Sequence, residues 1–181
     1  MGAIRGRADM VWSTCVRYRM KQKIFALGDD YAIEDEDGRH VATVDGKVFT
    51  LRQKLLFLDK TGAEVARIEK KILALKPTYE LIRGDTIVAT VSKDFFTLFR
   101  CSFTVDVPGP DDLAAQGNFT DHEYVFSRGN RRVATVSKSW FSIRDTYGVD
   151  ISDGEDTLLV LASTVVIDLC CDEERRERER D

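Results

Sequence analysis

A closed antiparallel β-barrel around one hydrophobic C-terminal helix is the fold this sequence predicts, all-β apart from that helix. Three observations predict it. A β-type phrase is repeated: Val88-Ala89-Thr90-Val91-Ser92-Lys93-Asp94-Phe95-Phe96 returns as Val133-Ala134-Thr135-Val136-Ser137-Lys138-Ser139-Trp140-Phe141, with fainter echoes at Val41–Phe49 and Val65–Leu73. Self-similarity over a few tens of residues means that one supersecondary unit is reused. Turn signals then separate short apolar runs all the way from Ile24 to Ile151. Last, the run from Thr157 to Cys171 is apolar nearly all round, and such a helix has to be buried on every side.

The repeated unit reads as strand, tight turn, strand, and a Lys-aromatic corner. Asp37-Gly38 lies between apolar runs, a strong hairpin signal because both residue types tolerate positive φ. Thr61-Gly62, Gly84-Asp85 and Gly129-Asn130 repeat that punctuation, each a few residues before the Val-Ala step. Arg83-Gly84-Asp85, which spells an adhesion tripeptide, is read as such a turn. Pro108-Gly109-Pro110 cannot sit in a central strand, so it is a loop, and Leu113 to Phe119 resumes the sheet. Ser152-Asp153-Gly154-Glu155 has the form of a capping box and predicts a helix over about 155–171. That run is shorter than the roughly 20 apolar residues of a membrane span and carries Asp168, so burial inside the barrel is the expectation. Three segments result: an N-terminal arm 1–17 containing Trp12, a barrel with its helix over 18–171, and a charged tail 172–181 read as a solvated, salt-bridge-laced helix extension or a frayed end.

Composition narrows the function. With 181 residues, 43% hydrophobic and 32% charged, the chain is an ordinary globular domain, and its net charge of -4 argues against a nucleic-acid partner. Its four cysteines form no C-x-x-C pair, and with only His40 and His122 beside them no metal set is read. The acidic corner of Asp145, Asp150 and Asp153 could hold a hard cation weakly, but acids near a helix N-terminus are ordinarily explained by the helix dipole, and no metal site is assigned. No apolar leader follows the basic Met1–Ala8, so a reduced, cytoplasmic location is expected. Neither histidine sits in a nucleophile elbow or an H-E-x-x-H motif; both read as exposed strand-end residues, and no catalytic residue or cofactor is assigned.

Lys70, Lys93 and Lys138 each fall five residues after the first Val of their repeat. Equivalent offsets place them at equivalent strand ends, where they form a candidate basic rim for an anion, with Lys71, Lys76 and Arg83 beside it. The competing explanation is that such lysines merely solubilise strand ends. Cys170-Cys171 and the corner aromatics read as packing.

Gly117-Asn118-Phe119, Tyr124-Val125-Phe126, Val133-Ala134, Lys138 and Trp140–Ile151 together resemble the signature of LURP-one-related proteins. The likeness covers about Tyr18 to Cys171. It implies the Tubby C-terminal-like fold shared with phospholipid scramblases, in which about twelve antiparallel strands enclose a central apolar helix. It implies no catalytic set. Since Tubby-like barrels bind phosphoinositides and scramblases act at membranes, it suggests an anionic phospholipid headgroup as ligand and a protein peripheral at the membrane. The alternative expectation is a protein-interaction barrel, homo-oligomeric or partner-binding, without a small ligand.

Overall fold

In the computed structural model, residues 15–22, 30–47, 54–96, 100–138 and 146–180 are described. Twelve strands run in chain order: β1 (Cys15–Gln22), β2 (Tyr31–Asp35), β3 (His40–Lys47), β4 (Lys54–Asp59), β5 (Glu64–Lys70), β6 (Thr78–Arg83), β7 (Thr86–Phe96), β8 (Arg100–Asp106), β9 (Leu113–Asn118), β10 (Glu123–Arg128), β11 (Arg131–Ser137) and β12 (Thr146–Ser152). Every strand pairs antiparallel with its chain neighbours, and β1 closes the ring against β12, with Tyr18 opposite Val149. Closure leaves no sheet edge open to another chain. Helix α1 (Thr157–Arg178) follows β12, and its residues from Leu159 to Cys170 are all buried.

The repeated phrase has a mechanical meaning. In all four copies the first Val is skipped by the pairing. Ala42 faces Ile33 while His40 faces Glu34, and Val41 has no partner. Val65, Val88 and Val133 are passed over in the same way opposite Phe57/Leu58, Leu81/Ile82 and Phe126/Ser127. Each copy is therefore a β-bulge, which bends its strand and increases local twist, as a sheet must to close on itself. The following alanine points inward, opposite a large residue, and Ala66, Ala89 and Ala134 are each 1% exposed. Alternating small and large residues makes room for α1.

Boundaries differ from the sequence reading at both ends of the chain. Cys15–Arg17, assigned to the arm, belong to β1 and pair with Ser152–Asp150. The helix cap is Asp156, whose Oδ1 accepts from the Leu159 N–H at 3.0 Å, so the Ser152 capping box does not form. Ser152 is spent as the last residue of β12, and the Glu155 carboxylate is held by Arg128 (2.8 Å) and Arg131 (2.5 Å). The tail is the expected helix extension: 172–178 continue α1 out of the barrel mouth, with 175–180 exposed, Arg175 paired with Asp172 at 3.4 Å and Arg178 with Glu174 at 3.6 Å. The Trp12 arm, the corner at Trp140–Asp145 and the side chains of Phe95 and Phe96 lie outside the described residues.

Candidate functional site

Odd-numbered strands all run toward the end at which the C-terminus of α1 emerges, so their last inward residues ring that mouth. The lysine of each of the three repeats with inward Ala66, Ala89 and Ala134 lies four residues after that alanine and shares its face. Lys70 at the end of β5, Lys93 in β7 and Lys138 just after β11 thus come to one end of the barrel. Two of them meet carboxylates of the helix itself. Lys70 Nζ lies 2.6 Å from Glu173 Oε1, and the Lys93 ammonium, its side chain 5% exposed, pairs with Glu174. Cations at a helix C-terminus also oppose its negative dipole end.

The remaining candidates are partly elsewhere. Lys71 pairs with Glu80 at 2.9 Å and Lys76 with Asp94 at 2.9 Å, both at the same mouth. Arg83 is at the opposite end, 2.7 Å from the helix cap Asp156. It ends β6, an even-numbered strand running the other way, so it cannot join a rim with the lysines.

Beside Lys138 lies a cleft of about 80 Å³, lined also by His122, Tyr147, Asp168, Asp172 and Arg175. Asp168 enters it from α1 with its side chain 4% exposed, and its Oδ1 lies 3.3 Å from Nε2 of His122. Tyr147 donates its phenolic O–H to the other carboxylate oxygen. The His122 ring stacks on Tyr147, centroids 4.4 Å apart, and its Nδ1 makes no hydrogen bond among the described residues. Among the described residues His122 is also the non-glycine residue with positive φ, 53°, a conformation for which histidine is enriched but which still costs energy. This corrects the expectation of an exposed strand-end histidine: the ring is largely buried, and the carboxylate beside it comes from α1. Burial by itself disfavours the imidazolium most strongly, and Lys138 adds to that. Asp168, helped by Asp172, outweighs both and leaves the histidine pKa raised.

A Cys-His device is not formed here, although Cys171 lines the same cleft. Burial, reinforced by Asp168, pushes its thiol up to about 12, whereas the nucleophile in such chemistry is the thiolate. Among the described residues no group of three or more His, Cys, Asp or Glu could hold a metal ion, and no helix is long and apolar enough to cross a membrane.

The model of the LURP-one-related family matches residues 16–168 of this chain. The chain belongs to the LURP-one-related family. It is 31% identical over 156 residues to the uncharacterized protein YxjI of Bacillus subtilis (strain 168), covering 83% of this chain and 90% of YxjI. An X-ray structure of a protein from Arabidopsis thaliana superposes with a TM-score of 0.65 at 17% identity, covering 86% of this chain and 91% of that one. At that identity the likeness speaks for the fold alone. The matched span ends at Asp168, so in this LURP-one-related barrel the carboxylate that meets His122 is the last residue of the family match, and Asp172–Glu174 lie beyond it.

One feature of the mouth escaped the sequence reading. The β5–β6 loop carries Ile72, Leu73 and Leu75 at 59%, 98% and 104% exposure. The sequence reading places Ile72-Leu73 only as the end of the fainter repeat echo Val65–Leu73. A signal was present: the loop reads Lys70-Lys71-Ile72-Leu73-Ala74-Leu75-Lys76-Pro77, three lysines with apolar residues between them and no acid.

Proposed function

We propose that this LURP-one-related barrel is a non-enzymatic module that docks peripherally on an anionic phospholipid surface, with the β5–β6 loop as its contact. The observation that carries the reading is the pair of fully exposed leucines bracketed by Lys70, Lys71 and Lys76. Exposed apolar groups in a loop without acids fit the boundary between lipid headgroups and acyl chains. Inserting both leucines contributes about 3 kcal/mol even at ~1.5 kcal/mol each. Each lysine near an anionic surface adds about 1 kcal/mol. The lysines keep 32%, 49% and 39% exposure in their present ion pairs, and pairs so wet are weak enough to exchange for a phosphate. The raised thiol of Cys171, which disfavours a thiolate beside His122, supports a binding role for the cleft.

Liposome co-sedimentation tests it. Wild type is expected to sediment with anionic vesicles, not with neutral ones, and to release as salt rises. A Leu73→Asp/Leu75→Asp double variant should bind at least tenfold more weakly while keeping the wild-type Tm, because both side chains are already in water. Equal sedimentation of wild type and variant would remove the loop from the contact. No sedimentation at low salt would transfer the apolar loop to a protein partner.

A further inference from the structure

Of the three repeat lysines at the mouth, two have a counterion supplied by the protein itself: Glu173 for Lys70 and Glu174 for Lys93. Lys138, at the same position of its own repeat, has no carboxylate within ion-pair distance of its ammonium among the described residues. What it has is the cleft of about 80 Å³. That is several times the ~10–15 Å³ that one buried water requires.

The other charges of the cleft are already matched. Asp168 accepts the Tyr147 hydroxyl on Oδ2, while its Oδ1, which makes no hydrogen bond among the described residues, is balanced in charge by His122 Nε2 at 3.3 Å. Asp172 accepts from Gln22 Nε2 at 3.1 Å and lies 3.4 Å from Arg175 Nη1. Three groups are left over: the Lys138 ammonium, the outer N–H groups of Arg175, and Nδ1 of His122, a donor once protonated, which is buried and has no hydrogen-bond partner among the described residues. With a proton on both ring nitrogens, the cleft carries one more positive charge than its two carboxylates neutralise.

We propose that this cleft binds a small oxyanion, of the carboxylate or phosphate class, held by Lys138, Arg175 and His122. The ligand supplies the counterion that α1 provides to Lys70 and Lys93. The site is distinct from the β5–β6 loop and does not depend on its role. Binding draws a proton onto Nδ1 while Nε2 stays on Asp168. The charged and titratable groups facing that ring are Asp168, Cys171, Asp172 and Arg175 of α1, Lys138 after β11, and Tyr147 of β12. The net effect of this surround already favours the imidazolium.

The test uses the full chain, with the His122 ring nitrogens followed by NMR while inorganic sulfate is titrated at constant ionic strength set by sodium chloride. Sulfate keeps its charge between pH 5.5 and 8.5, so any pH dependence belongs to the protein. A saturable His122 shift is expected in the millimolar range or below, at least tenfold weaker in Lys138→Gln, and tighter at pH 6 than at pH 8. The Leu73→Asp/Leu75→Asp variant should bind sulfate like wild type, which separates this proposal from the loop reading. A second arm compares inorganic phosphate with vesicles of phosphatidylcholine carrying phosphatidate. Saturation by free phosphate makes the ligand a dissolved anion. A loss of vesicle binding in Lys138→Gln without any free-anion shift makes it a lipid headgroup. A linear, unsaturable shift that is the same in Lys138→Gln, together with unchanged vesicle binding, overturns the site.

Discussion

Asp168 is the residue of α1 on which the cleft depends, and Asp168→Asn tests its role with little change of shape. The asparagine carbonyl still accepts from Tyr147 but no longer carries charge. Hydrogen bonds to charged groups contribute roughly 1.5–3 kcal/mol against roughly 0.5–1.5 for neutral ones, so the change costs about 1–2 kcal/mol. For a domain of this length that is a fall in Tm of about 2–8 °C. The sharper outcome is the sign of the pH dependence. In wild type the folded His122 pKa is raised. Its contribution is therefore complete below the unfolded value of about 6.5 and is lost as pH climbs through the folded value. In Asp168→Asn the main support is gone, while burial and Lys138 remain, so the folded pKa drops below the unfolded one. The variant then loses stability as pH falls below about 6.5. Thermal unfolding followed by circular dichroism from pH 5.5 to 8.5 reads both slopes. If the two proteins show parallel profiles, the Asp168–His122 pair does not control the ring and the account is wrong.

Other consequences follow from the packing. Gly117, at φ 145°, faces Tyr124 so closely that an added Cβ would lie 2.5 Å from the Glu123 carbonyl oxygen and 2.6 Å from Tyr124 Cα. Gly117→Ala should cost at least ~2 kcal/mol by overpacking and backbone strain, seen as a lower urea midpoint. Ala89→Leu pushes three extra carbons into the space beside α1 and is expected to cost about 1–3 kcal/mol in the same assay. Arg83→Ala removes a surface pair at the helix cap, with partners 37% and 43% exposed, and should shift the midpoint by no more than about 1 kcal/mol. Alkylation of the native protein, mapped by peptide mass spectrometry, should label exposed Cys15 and spare Cys170 and Cys171, whose burial pushes both thiols up to about 12. Rapid native labelling of either helix cysteine would mean that α1 leaves the barrel.

Much of the barrel was readable because its signals are local. Gly38 and Gly62 stand at hairpin tips with φ near 80°, where the neighbouring strands leave no other geometry. The apolar stretch from Leu158 to Cys171 has no polar face to give to water, so its burial follows from composition alone. The lysine offset was equally local, since Lys70, Lys93 and Lys138 inherit one face and one strand end from their repeat. Their chemistry was not. Whether a lysine presents its charge to solvent depends on what stands opposite, and Glu173 and Glu174 are separated from Lys70 and Lys93 by 103 and 81 residues. Arg83 was misplaced for a simpler reason: alternate strands run in opposite directions, and a basic residue in an even-numbered strand ends at the other mouth.

The sequence by itself determined the strands, their turns, the repeat and the buried helix, because each depends on neighbours a few residues apart. It also carried the repeat lysines and the apolar loop from Ile72 to Leu75, though without saying which way they face. Only closure of the sheet decided the rest. It made a bulge of each repeat valine, set the helix tail against the lysine ring, and placed His122 and Lys138 around Asp168. These contacts join residues far apart in the chain, and their energies come from burial and opposed charge, which exist only once the barrel has closed.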